Sequence, residues 1–276
     1  MSFSLAPRDS PALYLDLMKR CLVNWVYADH EMGLLSGMPM EEEARLEGRE
    51  WPGFAHTMVG LPRLENIQFC VETVLRDRIP GDLLEAGVWR GGATIFMRAI
   101  LQAWQTRDRL VWVVDSFEGV PPPNAEKYPQ DAGMFLHKLD QLAVGMHQVQ
   151  ANFARYGLLD EQCRFLKGWF RSVLPGSAIP TLAVLRVDGD LYESTLDVLT
   201  HLYPRLSRGG FVIVDDYHAI AACRQAVTDY RTAHGITSPI IEVDWSCVFW
   251  RRGEDRAVLP AGDDGIERVV VPAKER

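Results

Sequence analysis

The spacing of apolar residues changes period part-way along this chain, and the change marks how it is organised. From Leu13 to Tyr27 the spacing predicts a helix, with Leu17, Cys21, Leu22 and Trp25 on one face. Ser10-Pro11 supplies its start: a capping hydroxyl, then a proline whose missing N–H costs nothing in a first turn. Residues 31–61 follow no period, and the acidic run Glu41, Glu42 and Glu43 within them is expected on a solvated helix face. A second helix is predicted from Arg63 to Arg78, with Leu64, Ile67, Val71, Val74 and Leu75 facing inward. Ile79-Pro80-Gly81 ends it.

After residue 81 short apolar runs alternate with helical stretches. Leu83–Gly87, Leu110–Asp115, Cys163–Lys167, Leu182–Asp188 and Gly210–Asp215 read as buried parallel strands. Helices are predicted near 93–105, 136–156, 194–206 and 219–234, and Ile240–Val243 and Cys247–Arg251 as closing strands. This alternation implies an α/β fold, a mostly parallel, doubly wound sheet with helices on both faces and an N-terminal helical appendage. Such sheets bind ligands beyond the carboxyl ends of their strands.

The first strand ends in Glu85-Ala86-Gly87-Val88-Trp89-Arg90-Gly91-Gly92 and runs into a helix. Glycines there let the backbone approach a ligand, and the helix start offers free N–H groups. The spacing departs from G-x-G-x-x-G, which disfavours an NAD-dependent oxidoreductase. The second strand ends in Asp115-Ser116, followed by Gly119. An acid at that tip can accept both ribose hydroxyls, so an adenosine-containing cofactor is expected. After the third strand, Gly168 precedes Trp169 and Phe170, which either sandwich an adenine or belong to the core.

The next two strands end in Asp188-Gly189-Asp190 and in Asp215-Asp216-Tyr217-His218. Asp188, Asp215 and Asp216 should converge at one cleft, with Asp190 beside them. Such a set repels itself unless a cation balances it, and all-oxygen ligands select a hard ion such as Mg²⁺. His218 is a minor catalytic candidate, and Pro121-Pro122-Pro123 either borders the substrate mouth or stiffens a linker.

Composition narrows the partners. Lys and Arg total 29 against 37 Asp and Glu, a formal net charge of −8 that repels nucleic-acid backbones. No apolar run is long enough to span a membrane, and the start MSFSLAPRDS lacks the pattern of a secretory signal. Cys21, Cys70, Cys163, Cys223 and Cys247 form no C-x-x-C pair and read as reduced thiols of a cytoplasmic protein.

The stretches LEAGVWRGG, VVDSFEGVPPP, LKGWF, LRVDGDLYEST and LYPRLSRGGFVIVDDYHA resemble the macrocin O-methyltransferase (TylF) family, whose members methylate sugar hydroxyls of antibiotics. LYLDLMKRCLVNWVY and HTMVGLPRLENIQ extend the likeness over most of residues 12–236. The resemblance implies a Rossmann-like class I methyltransferase domain over 81–276, with a seven-stranded sheet, and a substrate-shaping helical lid over 1–80. It implies S-adenosylmethionine held by Thr57, Met58, Glu85 to Arg90, Asp115, Ser116, Gly119, Gly168, Trp169 and Phe170. Mg²⁺ would sit on Asp188, Asp215 and Asp216, the acceptor would be a glycosylated small molecule, and the enzyme a homo-oligomer. One departure bears on mechanism. Catechol-type methyltransferases carry a lysine base three residues after the first metal aspartate, where this chain has Leu191. Asp188 is then the first choice for the base and Asp190 the second. A phenol or catechol acceptor is the runner-up, and a catalytically dead binder has no use for the acidic set.

Overall fold

A computed structural model describes residues 10–253, so the first residues and the stretch 254–276, both within the lid and domain boundaries above, lie outside the description. Helix α1 spans Ser10–Leu22 and buries Leu15, Met18 and Leu22. Of the predicted face only Leu22 is fully buried: Cys21 is half-buried, Leu17 is 54% exposed, and Trp25 lies beyond the helix in a short 3₁₀ turn, Trp25–His30. The helix carries two apolar stripes, and periodicity alone does not say which meets a neighbour. It stops because Asn24 takes a left-handed conformation, φ 56°. Helix α2 (Glu42–Glu47) puts Glu42 and Glu43 in an exposed first turn, as expected of a solvated face. Helix α3 (Leu61–Arg76) buries Leu64, Ile67, Val71 and Val74 completely, each contributing about 1.5–3 kcal/mol by leaving water.

The strands and helices then alternate as the sequence suggests: β1 (Asp82–Ala86), α4 (Gly92–Ala103), β2 (Val111–Asp115), α5 (Met146–Arg155), β3 (Cys163–Lys167) and α6 (Phe170–Val173). They continue as β4 (Leu182–Val187), α7 (Tyr192–Leu202), β5 (Leu206–Val214), α8 (Ala221–Ala233), β6 (Ile241–Glu242) and β7 (Val248–Arg251). The helix expected over 136–156 forms only from Met146; two single 3₁₀ turns, Leu136–Lys138 and Asp140–Leu142, precede it. The short α6 was not anticipated.

Among the described residues the sheet has seven strands in the order β3-β2-β1-β4-β5-β7-β6. Strands β1 to β5 run parallel, and β7 lies antiparallel between β5 and β6. Chain order reverses between β1 and β4, the switch point where such sheets bind ligands. Register levels the strand ends there: Ala86 pairs with both Val114 and Val187, and Val187 pairs with Val214. The next residues, Gly87, Asp115, Asp188 and Asp215, therefore share one rim. Helices α1, α3 and α4 bury their faces in one core with residues of β1, β2, β4 and β5, so the N-terminal segment shares the core of the sheet. No helix among the described residues is long and apolar enough to cross a membrane.

Candidate active site

A cleft of about 390 Å³ opens along this rim. Thr57, Met58, Glu85, Gly87, Val88, Trp89, Asp115, Ser116, Gly119, Gly168, Trp169 and Phe170 line it, together with Asp188, Asp190, Asp215 and Asp216. Two expected residues do not. Ala86 faces the core on the other side of the sheet, as strand alternation after Glu85 requires. Arg90 turns its guanidinium back to the carbonyls of Pro52 and Ala55, at 3.3 and 2.9 Å, and stacks on Trp89. His218 also stands off the cleft, with Nε2 3.5 Å from Glu242.

The glycine loop is required sterically. Gly87 has φ +90°, and a Cβ on it would lie 1.8 Å from the carbonyl oxygen of Asp188. Asp115 accepts the backbone N–H groups of Val88 and Phe117, both at 2.7 Å, which ties the ends of β1 and β2 together. Burial raises its carboxyl above the usual range, and those N–H groups offset part of the rise. Ser116 Oγ donates to the Gly119 carbonyl at 2.7 Å and folds the following turn. Thr57 and Met58 reach the cleft because buried Arg45 gathers four carbonyls: Val23, Thr57, Met58 and Val59, at 2.8 to 3.1 Å. Burial lowers the Arg45 guanidinium to about 10.

At the ends of β4 and β5, carboxylate oxygens of Asp188, Asp215 and Asp216 lie within 4.8 Å of one another. Two ligands on one Mg²⁺ stand about 3–4 Å apart at its bond length of about 2.1 Å. Asp216 Oδ2 is buried with no hydrogen-bond partner, a lone pair aimed at nothing the protein supplies. All-oxygen donors and an unsatisfied carboxylate fit a hard divalent ion.

Two arginines that the sequence reading gave no role complete the cluster. Arg186, 1% exposed, sits beside its register partner Glu85 and donates to Glu85, to Asp215, and to Asp188 at 2.8 Å. Arg63, from α3, reaches Asp215 Oδ2 at 2.6 Å and Asp244 Oδ2 at 2.7 Å. A signal for Arg186 was available: it is the one charged side chain in the apolar run Leu182–Val187, immediately before the acids. Arg63 carried none, because an arginine in the first turn of an amphipathic helix looks solvent-exposed.

The two guanidinium groups do not balance Glu85, Asp188, Asp190, Asp215 and Asp216. Burial opposes the charge of Arg186, but Asp215, Asp188 and Glu85 hold its proton more tightly than usual. Burial raises Glu85 to about 8 despite Arg186. Burial and the charge of Asp215 raise Asp188 to about 6, while burial and the charges of Asp188 and Asp215 raise Asp190 to about 8. Asp216 is pushed well above the carboxylate range by burial, then by Asp190 and Asp188. Without another positive charge the cluster keeps protons instead.

The family model for Macrocin-O-methyltransferase (TylF) matches residues 26–252. This chain belongs to that family. The TylF assignment rests equally on curated relatives. The 8-demethyl-8-(2,3-dimethoxy-alpha-L-rhamnosyl)-tetracenomycin-C 4'-O-methyltransferase of Streptomyces olivaceus is 56% identical over 92% of this chain and 98% of its own length. The mycinamicin III 3''-O-methyltransferase of Micromonospora griseorubida is 53% identical over 90% and 99%. Among solved structures, the O-methyltransferase NovP matches with a TM-score of 0.85 at 52% identity, covering 89% of this chain and all of that one. As a TylF-family member with this Rossmann-like sheet, the chain is an S-adenosylmethionine-dependent O-methyltransferase.

Proposed function

We propose that this enzyme methylates a hydroxyl of a sugar carried by a natural product of antibiotic biosynthesis, with Mg²⁺ held by Asp188, Asp215 and Asp216. The observation that carries the metal is the convergence of those three carboxylates beside the glycine loop. The acceptor class is supported by the relatives, one of whose names specifies a dimethoxyrhamnosyl group.

In this reading Thr57, Met58, Glu85, Gly87, Val88 and Trp89 hold the amino-acid part of S-adenosylmethionine, and Asp115 and Ser116 its ribose. When bound, that cofactor supplies a methyl group on a positively charged sulfur, and Mg²⁺ stabilises charge developing on the attacking oxygen. The chain orients the acceptor and removes its proton. Asp188 gives one oxygen to Arg186 and belongs to the ion set, which weakens it as a base. Asp190 lines the cleft outside that set, so its carboxylate is left to accept the proton once a cation offsets the charges around it. Its left-handed backbone, φ 57°, sets where that carboxyl stands. Asp190 therefore takes the proton, while Asp188 is the alternative.

The test uses the full chain with isotope-labelled S-adenosylmethionine, Mg²⁺ and a panel of glycosylated polyketides, flavonoids and aminocoumarins. Label should reach a sugar hydroxyl, and chelation should stop transfer. Undiminished turnover in EDTA removes the metal from this scheme; label on a phenol instead of a sugar removes the acceptor class.

A further inference from the structure

Glu193 is a buried acid that the scheme above leaves without a task. It stands in the first turn of α7, is 5% exposed, and lines the cleft. Its Oε1 lies 3.6 Å from Arg171, a loose contact with a half-exposed side chain. Its Oε2 is buried and has no hydrogen-bond partner. A carboxylate oxygen shut away from water without a donor is costly to a fold, so a donor that arrives with a ligand is the simplest account of it.

Its position says which ligand. The sheet order β3-β2-β1-β4 places the tips of β2 and β3 on the side of the cleft away from the aspartate cluster. If Asp115 at the tip of β2 takes the ribose, the base must extend outward toward β3. There the turn Gly168-Trp169-Phe170-Arg171 brings a flat ring and a cation but no acid. Arg171 is the residue that touches Glu193, so α7 supplies the carboxylate that this turn lacks. The start of α7 is itself fixed, since Asp131 accepts Tyr192 N–H at 2.6 Å and Glu193 N–H at 3.1 Å.

Building on the cofactor placement proposed above, we infer that Glu193 accepts an N–H of the purine's exocyclic amine, and so selects adenine over a 6-oxo purine. A carboxylate has only acceptors to offer. The adenine amine supplies the missing donor, whereas the carbonyl of hypoxanthine would set oxygen against oxygen.

Isothermal titration of the full chain with S-adenosylhomocysteine and with S-inosylhomocysteine tests this without turnover. The unaltered enzyme should prefer the adenosyl compound by roughly ten- to a hundredfold, the size of one hydrogen bond to a charged group. In Glu193→Gln the preference should fall to within about threefold, because the carboxamide can donate to the 6-oxo group. Equal binding of the two compounds by the unaltered enzyme overturns the inference whether or not the variant folds. A variant that keeps the full preference, even with weaker acceptor binding, overturns the role of Glu193 and leaves the cofactor placement standing. Failure of the unaltered enzyme to bind S-adenosylhomocysteine overturns both.

Discussion

Arg63 Nη1 meets Asp215 Oδ2 at 2.6 Å, joining a helix of the N-terminal segment to the tip of a central strand. Both side chains are buried, and Asp215 is a proposed ion ligand. The segment that lines the cleft through Thr57 and Met58 is thus fastened directly to the acidic cluster.

Removing that contact should be costly. Arg63→Ala strips a buried carboxylate of one partner and should lower unfolding free energy by about 3–5 kcal/mol, read from denaturant titration. Millimolar Mg²⁺ should recover part of the loss, because a cation can take the place of the missing guanidinium. A variant as stable as its parent would show that the ion pair has no energetic role.

The acidic cluster should make the metal-free protein less stable as pH rises. Asp188 and Asp190 hold protons in the fold up to about 6 and about 8, whereas an unfolded aspartate loses its proton near 4. The folded state therefore binds more protons, and the stability that this confers is present below pH 4 and lost through pH 8. Melting temperatures in EDTA should fall between pH 5.5 and 8, and added Mg²⁺ should flatten the slope. Asp190→Asn should shrink the pH dependence while abolishing methyl transfer. A metal-free melting temperature that rises over this range would contradict the charge balance described here.

Asp131 should matter beyond its own turn. It is fully buried and caps α7 from a distant irregular stretch that also lines the cleft through Leu136 and Leu142. Asp131→Ala should cost about 1–2 kcal/mol for the lost cap and speed proteolysis within residues 121–145. Asp131→Asn, which keeps an acceptor, should lose less on both readouts.

Gly87→Ala is expected to yield no soluble protein, or a melting temperature too low for activity. The added carbon would strike the Asp188 backbone, and φ +90° is a conformation that an alanine adopts only under strain. Its soluble yield and circular dichroism melt check this directly.

The five parallel strands and the rim acids were legible because both signals are local. An apolar run that ends in Asp or in Glu-Ala-Gly needs no knowledge of its neighbours. What the sequence hid depends on partners far along the chain. The stripe by which α1 packs is chosen by α4, and periodicity offers Leu13 and Leu17 as readily as Leu15 and Met18. Arg63 and Asp215 are separated by 152 positions, and only the fold brings them into contact. Residues 136–142 carry apolar side chains at helical spacing, yet they form 3₁₀ turns. Asp131 there spends its carboxylate on α7 and fixes the approach of the backbone.

The grip of Arg45 on Val23, Thr57, Met58 and Val59 leaves this enzyme a route to diversify. That stretch of wall is suspended by its peptide oxygens from a remote cation behind it. The side chain at position 58 can then be exchanged for one of another shape while the scaffold stays put. The fit of the wall to the amino-acid end of the cofactor becomes tunable at its surface, provided the hidden fastening is left alone.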